Sequence, residues 1–446
     1  MSQVIERPRA SCALGGAVAT ITALRDAAPV IHASAGCGGN IFNTLYGGSG
    51  YQGAGYCGGL AVPSSNVTER EILFGGEERL VEQIETTRQV IDAKLFAILS
   101  GCMTEIIGDD IASVARRFQS AGDTVIAVQT GGFNGNAYGG YGLVLETLFR
   151  DVVLPAPQKE MNRINLWGLV PGQDPFWRGD LLELKRLLRR LGLQVTTFFS
   201  HDEGLDDLRH AGRAAANIVL SPVYGVQAAE VFQAEHGTPY LPLETPIGPT
   251  ATADFLRQVG RRLNVPEETV ATVIREEQAE YYHFVERVAD FYTDTDQQHH
   301  AVVVGNATMT IPLTRFLTED LGWLPEFVVV TDPLPAEQQE RLRQNLATLR
   351  YHRTPQLLFE TDTTEIPQRL ARHWPIYKEA KYHRRLSPAF VLGSSLERDL
   401  ASTIGAKHLS VSFPITNRVV LHRGYAGYRG GLHLLEDLLN VAAAGR

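Results

Sequence analysis

The sequence predicts an α/β protein built from three Rossmann-like parallel domains, and three observations carry that prediction. A chain of 446 residues is longer than one hydrophobic core organises. Short apolar runs alternate with longer amphipathic ones along most of its length, the pattern of strand–helix units joined into parallel sheets. With 44% hydrophobic and 20% charged residues, no stretch is too polar to fold.

The first domain is expected over residues 1–160. There Ala13–Leu24 reads as a helix, Val30–Ser34 and Leu95–Ser100 as buried strands, Ile111–Phe118 as a helix, and Val125–Val128 as another strand. Gly131–Gly142 is so rich in glycine that it reads as an irregular loop. The second domain, residues 161–295, takes Ile164–Val170, Gln194–Ser200, Ile218–Pro222 and Tyr240–Leu243 as strands. Gly179–Leu191 and Val226–Glu235 are its helices, and helical sequence over Glu267–Tyr292 forms a connector. The third domain, residues 296–446, places strands at Val302–Gly305, Phe327–Thr331, Gln356–Phe359, Phe390–Gly393 and Leu409–Phe413. Tyr425, Tyr428 and Arg429 are read as packing between domains or subunits. In parallel sheets of this kind ligands gather at the carboxyl ends of the strands.

Composition narrows the function. A net charge of -9 argues against a general nucleic-acid binder, which needs a basic face. The segment Met1–Arg9 is polar, without the apolar centre of a signal peptide, and no run of about 18 apolar residues occurs to span a membrane. A cytoplasmic protein is expected, in which thiols stay reduced. The four cysteines, Cys12, Cys37, Cys57 and Cys102, all fall in the first quarter of the chain, and such clustering favours metal or redox chemistry over a disulfide framework.

Cys37 follows the strand Val30–Ser34, Cys102 follows Leu95–Ser100, and each has glycine just before it, leaving room for a bulky cluster. Cys12 sits just ahead of the helix Ala13–Leu24. Three thiols are thus expected at a sheet rim near helix N-termini, whose partial positive charge stabilises the thiolate a metal requires. The residues leave two alternatives open: metal binding by Cys12, Cys37 and Cys102, or unreactive cysteines used for packing. Three thiolates are also one short of an ordinary four-cysteine cluster. Either Cys57, in the glycine-rich Gly47–Gly59 loop, or a partner chain would complete the set, and Cys57 by itself reads as a packing residue.

Other signals are weaker. Gly48, Gly50 and Gly53 spell a dinucleotide fingerprint, yet no strand precedes them and no helix follows. There is no G-x-x-x-x-G-K-[ST], C-x-x-C or H-E-x-x-H, so neither ATP hydrolysis nor a zinc site is expected in this chain. Glu105, Asp109 and Asp110 are read as structural acids opposing a helix dipole.

Taken together, His32 with Ser34–Cys37, the segment Gly101–Asp110 (GCMTEIIGDD), the PIG of Pro246–Gly248 and the stretch Ser412–Asn440 resemble the beta (K-type) subunit of nitrogenase component 1, over nearly the whole chain. The resemblance implies that Cys12, Cys37 and Cys102 supply half the ligands of a P-cluster-type 8Fe-7S cluster. An alpha-type (D-type) subunit would supply the rest within an α2β2 heterotetramer. It further implies a transient, ATP-hydrolysing iron protein (H-type) as electron donor, and a catalytic iron–sulfur cofactor in the alpha-type chain. That cofactor needs a cysteine from the middle of its chain, and this sequence has none after Cys102. His408, His422 and His433 are accordingly read as surface or packing residues, and the chain as an electron relay with no catalytic residue of its own. Phe133, Tyr138 and Tyr141 are expected at the cluster edge or the subunit contact.

Within the superfamily three departures stand out: Cys12 lies almost at the start, Gly132 stands where a cluster-binding serine would fall, and Gly47–Gly59 is rich in glycine rather than charge. These resemble the methylthio-alkane reductases, which cleave carbon–sulfur bonds of small methylthioethers. The alternatives are a molybdenum or alternative-metal nitrogenase beta subunit, a cofactor-assembly scaffold, and a dark-operative protochlorophyllide or chlorophyllide reductase.

Overall fold

Twelve strands of the described residues form three sheets, and every pairing is parallel. The structure is a computed structural model and describes residues 5, 8–53, 61–122, 124–294, 299–350, 354–373 and 390–444. Cys57 lies outside these residues.

The first sheet contains β1 (Ala27–His32), β2 (Leu95–Ser100) and β3 (Val125–Val128), in that order. Its central strand, β2, is buried at every position, as a sheet covered on both faces requires. Phe96 and Ile98 point to one apolar cluster, while Leu95, Ala97 and Leu99 point to the other. The helices are α1 (Ala13–Ala23), α2 (Ala35–Gly48), α3 (Glu69–Phe74), α4 (Glu77–Val90), α5 (Cys102–Ile107), α6 (Ile111–Gln119) and α7 (Ala137–Asp151). Asp110 caps α6 by accepting a hydrogen bond from Ser113 N at 2.9 Å.

The second sheet comprises β4 (Glu160–Trp167), β5 (Gln194–Thr196), β6 (Ala214–Val219) and β7 (Tyr240–Pro242), ordered β5-β4-β6-β7, with α8 (Trp177–Arg190) between its first two strands. The third comprises β8 (His300–Gly305), β9 (Leu324–Val330), β10 (Gln356–Phe359), β11 (Phe390–Gly393) and β12 (Lys407–Ser410), ordered β10-β9-β8-β11-β12. The largest apolar cluster is shared: it runs from one face of the first sheet through the second sheet and takes in Ala426 and Tyr428 near the C-terminus.

One expected loop is mostly helix. Only Gly131–Asn136 is irregular, and Gly139, Gly140 and Gly142 lie inside α7. The glycines serve packing instead of a turn. A Cβ on Gly140 would sit 1.9 Å from the Ala13 carbonyl oxygen, and one on Gly16 would sit 1.9 Å from that of Ala137. Helices α1 and α7 therefore meet backbone to backbone. Tyr138 and Tyr141 point inward and are buried, not at a subunit contact as expected, and Tyr141 OH accepts from Gly168 N at 3.0 Å.

The C-terminal segment docks on α8. Tyr425 N and Ala426 N both donate to Asp180 Oδ1, at 2.6 and 2.8 Å. Burial pushes the Asp180 carboxyl up to about 7, even though those two amides pull it down. Its folded pKa thus exceeds the unfolded value near 3.8, so its contribution to stability declines as pH rises from about 4 to about 7. Asp180→Asn keeps the acceptor oxygen and removes the titration. The denaturation midpoint of this variant is expected to exceed wild type at pH 8 and to converge with it at pH 4. Parallel pH profiles for the two proteins would refute this account of Asp180.

Candidate functional site

The three sequence-predicted thiols all stand at helix N-termini beyond the carboxyl edge of the first sheet. Cys12 is the N-cap residue of α1. Its segment is held by Ala137 N donating to Ser11 O at 2.7 Å and Ala13 N donating to Gly135 O at 2.9 Å. Cys37 is the third residue of α2, half-buried against the main core, with Ser34 Oγ 3.8 Å from its sulfur. Cys102 is the first residue of α5, directly after β2 and Gly101. Cys12 and Cys102 are exposed, and all three are free thiols.

Pairing of β1 with β2 places His32 opposite Ser100, so the loops carrying Cys37 and Cys102 leave the sheet side by side. The glycine before Cys102 has a different role from the one expected. A Cβ on Gly101 would strike Ala33 Cβ at 2.6 Å, so this glycine lets neighbouring strand ends touch, whereas nothing lies within 4 Å of a Cβ on Gly36. Thr104 Oγ1 ties the two loops by donating to His32 O at 2.8 Å.

Cys12 and Cys102 come together across Gly132. A Cβ there would lie 3.2 Å from Cys102 Sγ and 3.4 Å from Cys12 Cβ, and the Gly132 N–H donates to the Cys102 sulfur at 3.0 Å. Among the described residues, no three His, Cys, Asp or Glu side chains of this chain group closely enough to hold a metal ion.

Beneath the thiols, His32 is fully buried between Ser65 Oγ and Asp109 Oδ2, each 2.9 Å from a ring nitrogen. Burial lowers its pKa, with Asp109 opposing, and Asp109 also accepts from Gly76 N at the start of α4. Asp109 and Asp110 therefore have the structural roles expected of them. Glu105 stands in the first turn of α5, as expected, and also accepts hydrogen bonds from Ser100 Oγ (2.6 Å), Gly131 N (2.5 Å) and Asn134 Nδ2 (2.9 Å). Its position three residues after Cys102 was the only signal in the sequence.

Several apolar side chains are exposed on α3, on α5 and in the turn carrying Gly132. Met103, Ile106, Phe133, Leu73 and Phe74 are all exposed, Phe74 by 84%. On α2, Phe42 stacks on Tyr46 at 5.7 Å, and Tyr51 meets Tyr46 edge-on at 5.8 Å.

The crevice between the carboxyl ends of the three sheets, where a ligand of such a fold would otherwise sit, is filled by side chains. Asn306 Nδ2 donates to Tyr138 OH and to Asp174 Oδ1, each at 2.7 Å, and Tyr138 stacks on Tyr224 at 4.1 Å. Asp332 accepts from Ala307 N at 2.6 Å. His408 and His433 bond backbone carbonyls, of Ser394 at 2.8 Å and Gly424 at 3.1 Å, which is the packing role expected of them. No helix among the described residues is long and apolar enough to cross a membrane.

Comparison with known proteins gives a consistent result. The family described as nitrogenase component 1 type oxidoreductase matches residues 12–443. The nitrogenase molybdenum-iron protein beta chain of Frankia alni is 25% identical, over 97% of this chain and 82% of its own length. A light-independent protochlorophyllide reductase subunit from Staurastrum punctulatum is 24% identical, over 86% of this chain and 74% of its own. The cofactor biosynthesis protein NifE of Methanosarcina barkeri is 26% identical over 52% of this chain and 50% of its own. Among solved structures, nitrogenase Cp1 at pH 6.5 superposes with a TM-score of 0.78 at 20% identity, covering 99% of this chain and 95% of that one, which establishes the shared fold. With three parallel α/β sheets and a family match spanning almost its whole length, this chain belongs to the nitrogenase component 1 type oxidoreductases.

Proposed function

We propose that this chain is the relay subunit of a nitrogenase-like reductase, in which Cys12, Cys37 and Cys102 hold half of a P-cluster-type 8Fe-7S cluster at the contact with an alpha-type subunit. The observation that carries the proposal is the meeting of Cys12 and Cys102 across Gly132, on an exposed rim of apolar side chains. The residues fit such a group. Soft thiolate donors select iron–sulfur clusters, three helix N-termini favour the anionic sulfurs, and the absent Cβ of Gly132 keeps open the space between the Cys102 sulfur and the Cβ of Cys12. The remaining donors come, in this reading, from the alpha-type chain covering the apolar rim.

When bound, the cluster supplies reversible electron storage. This chain's own part is to orient the sulfurs, to donate the Gly132 amide to one of them, and to exclude water by burying the rim against its partner. An ATP-dependent iron protein delivers the electrons, and substrate is reduced at the partner's cofactor. The corresponding crevice here is occupied by Asn306, Tyr138, Tyr224, Asp174 and Asp332, which supports a relay role.

For the substrate we favour a small methylthioether, reduced to methanethiol and a hydrocarbon. The support is Gly132 in place of serine and the glycine-rich Gly47–Gly59. The test is to purify the chain with its alpha-type partner, add iron protein and ATP, and follow methanethiol release from dimethyl sulfide beside ammonia formation from dinitrogen. Methanethiol as the dominant product is expected. Ammonia as the dominant product would make the chain a nitrogenase subunit, and turnover by this chain without its partner would remove the relay reading.

A further inference from the structure

We infer that Glu105 is a positioning residue that sets the reduction potential of the cluster through the Gly132 amide. The inference rests on the reading of Cys102 as a ligand. Glu105 never touches the sulfur. Its Oε1 accepts from Ser100 Oγ and Gly131 N, and its Oε2 accepts from Asn134 Nδ2. Ser100 Oγ in turn accepts from Thr130 N at 3.2 Å, and Thr130 Oγ1 donates to Ser100 O at 2.8 Å. The turn Thr130–Asn134 is thereby fastened at both ends, leaving the Gly132 N–H directed at Cys102 Sγ at 3.0 Å.

The chemistry of the pocket asks for a carboxylate. All three groups facing Glu105 are donors, and an ionised carboxylate is acceptor-only. A glutamine would satisfy Oε1 and turn its own NH2 against that of Asn134. The residue beside it is constrained as well, because a Cβ on Gly131 would lie 2.9 Å from Glu105 Oε2. An N–H aimed at a cluster sulfur stabilises the more negative, reduced state and so raises the potential. Helix-dipole compensation, the role expected of this acid from sequence, explains none of these contacts.

The test uses charge-preserving variants in the purified complex with the alpha-type partner, because removing the carboxylate would itself raise the potential. Glu105→Asp shortens the side chain by one methylene and is expected to move the midpoint potential of the cluster to a more negative value at undiminished iron content. The signal is read by electron paramagnetic resonance on samples poised at defined potentials. Ser100→Ala, which removes one of the links at full charge, is expected to move the potential the same way by less. The double variant Glu105→Gln with Asn134→Asp restores the donor–acceptor match and the net charge, and should return the potential toward wild type. A merely structural role for Glu105 would lower iron loading and leave the potential of the loaded fraction where it is. An unmoved potential in both Glu105→Asp and Ser100→Ala at full iron overturns the inference and leaves the cluster reading intact. Full iron in Cys102→Ala overturns both.

Discussion

Replacing Cys102 with alanine is expected to remove the interfacial cluster and the activity together. In the purified complex the cluster absorption should vanish, the iron bound at the subunit contact should be lost, and turnover should fall by more than about a hundredfold. The bound follows from scale: deleting only an outer partner of a metal ligand already costs about 10–100-fold, and here the ligand itself goes. Cys37→Ala is expected to do the same from the neighbouring loop, although its side chain is half-buried and packs on the main core. A packing loss alone would cost about 1 kcal/mol of stability and leave iron in place. Met161→Ala serves as the control, since Met161 is exposed on β4 of the second sheet and forms no part of the thiol rim. Iron analysis and visible absorption decide the matter, and wild-type iron in either cysteine variant would mean that its thiol is a packing residue after all.

The sequence carried the strands well because period and burial agreed. Leu95–Ser100, Val125–Val128, Gln356–Phe359 and Phe390–Gly393 have the same limits in the structure as in the reading, each being a short apolar run between polar breaks. Ile164–Val170 and Gln194–Ser200 end earlier than expected, at Trp167 and Thr196, because apolar residues continue past the last ladder bond into the buried crossing beneath the crevice. The positions of Cys12, Cys37 and Cys102 at helix starts were legible for the same reason, since strand ends and glycine breaks fix where a helix begins. What stayed hidden depends on contacts far apart in sequence. Nothing local distinguishes Glu105, which clamps a turn some 26 residues on, from Asp110, which caps its own helix. Tyr138 and Tyr141 looked like surface aromatics because their glycine neighbours suggested a loop, and the helix that buries them is built on those same glycines.

That misreading leads to the second large effect. Gly140→Ala is expected to destabilise the protein by about 3 kcal/mol, against the usual sign. Inside an exposed helix, glycine to alanine is favourable by about 1 kcal/mol, because alanine loses less backbone entropy and shields the peptide. At Gly140 the added Cβ would meet the Ala13 carbonyl oxygen at 1.9 Å, with the Ala13 carbonyl carbon at 2.7 Å. Backbone atoms cannot swing aside like a side-chain tip, so α1 has to move away from α7. Leu14, Ala17, Val18 and Ile21 of α1 are buried in the shared core, so that movement opens cavities along the whole helix. It also displaces Cys12, the residue next to Ala13, which ties this backbone-to-backbone helix contact to the thiol rim. Gly142→Ala is the matched control: it lies in the same helix with nothing within 4 Å of the added Cβ, and should leave stability unchanged or slightly raised. Denaturation midpoints of the two variants are the measurement. A midpoint for Gly140→Ala at or above wild type would mean that the two helices do not touch through their backbones, and that the contact does not require glycine.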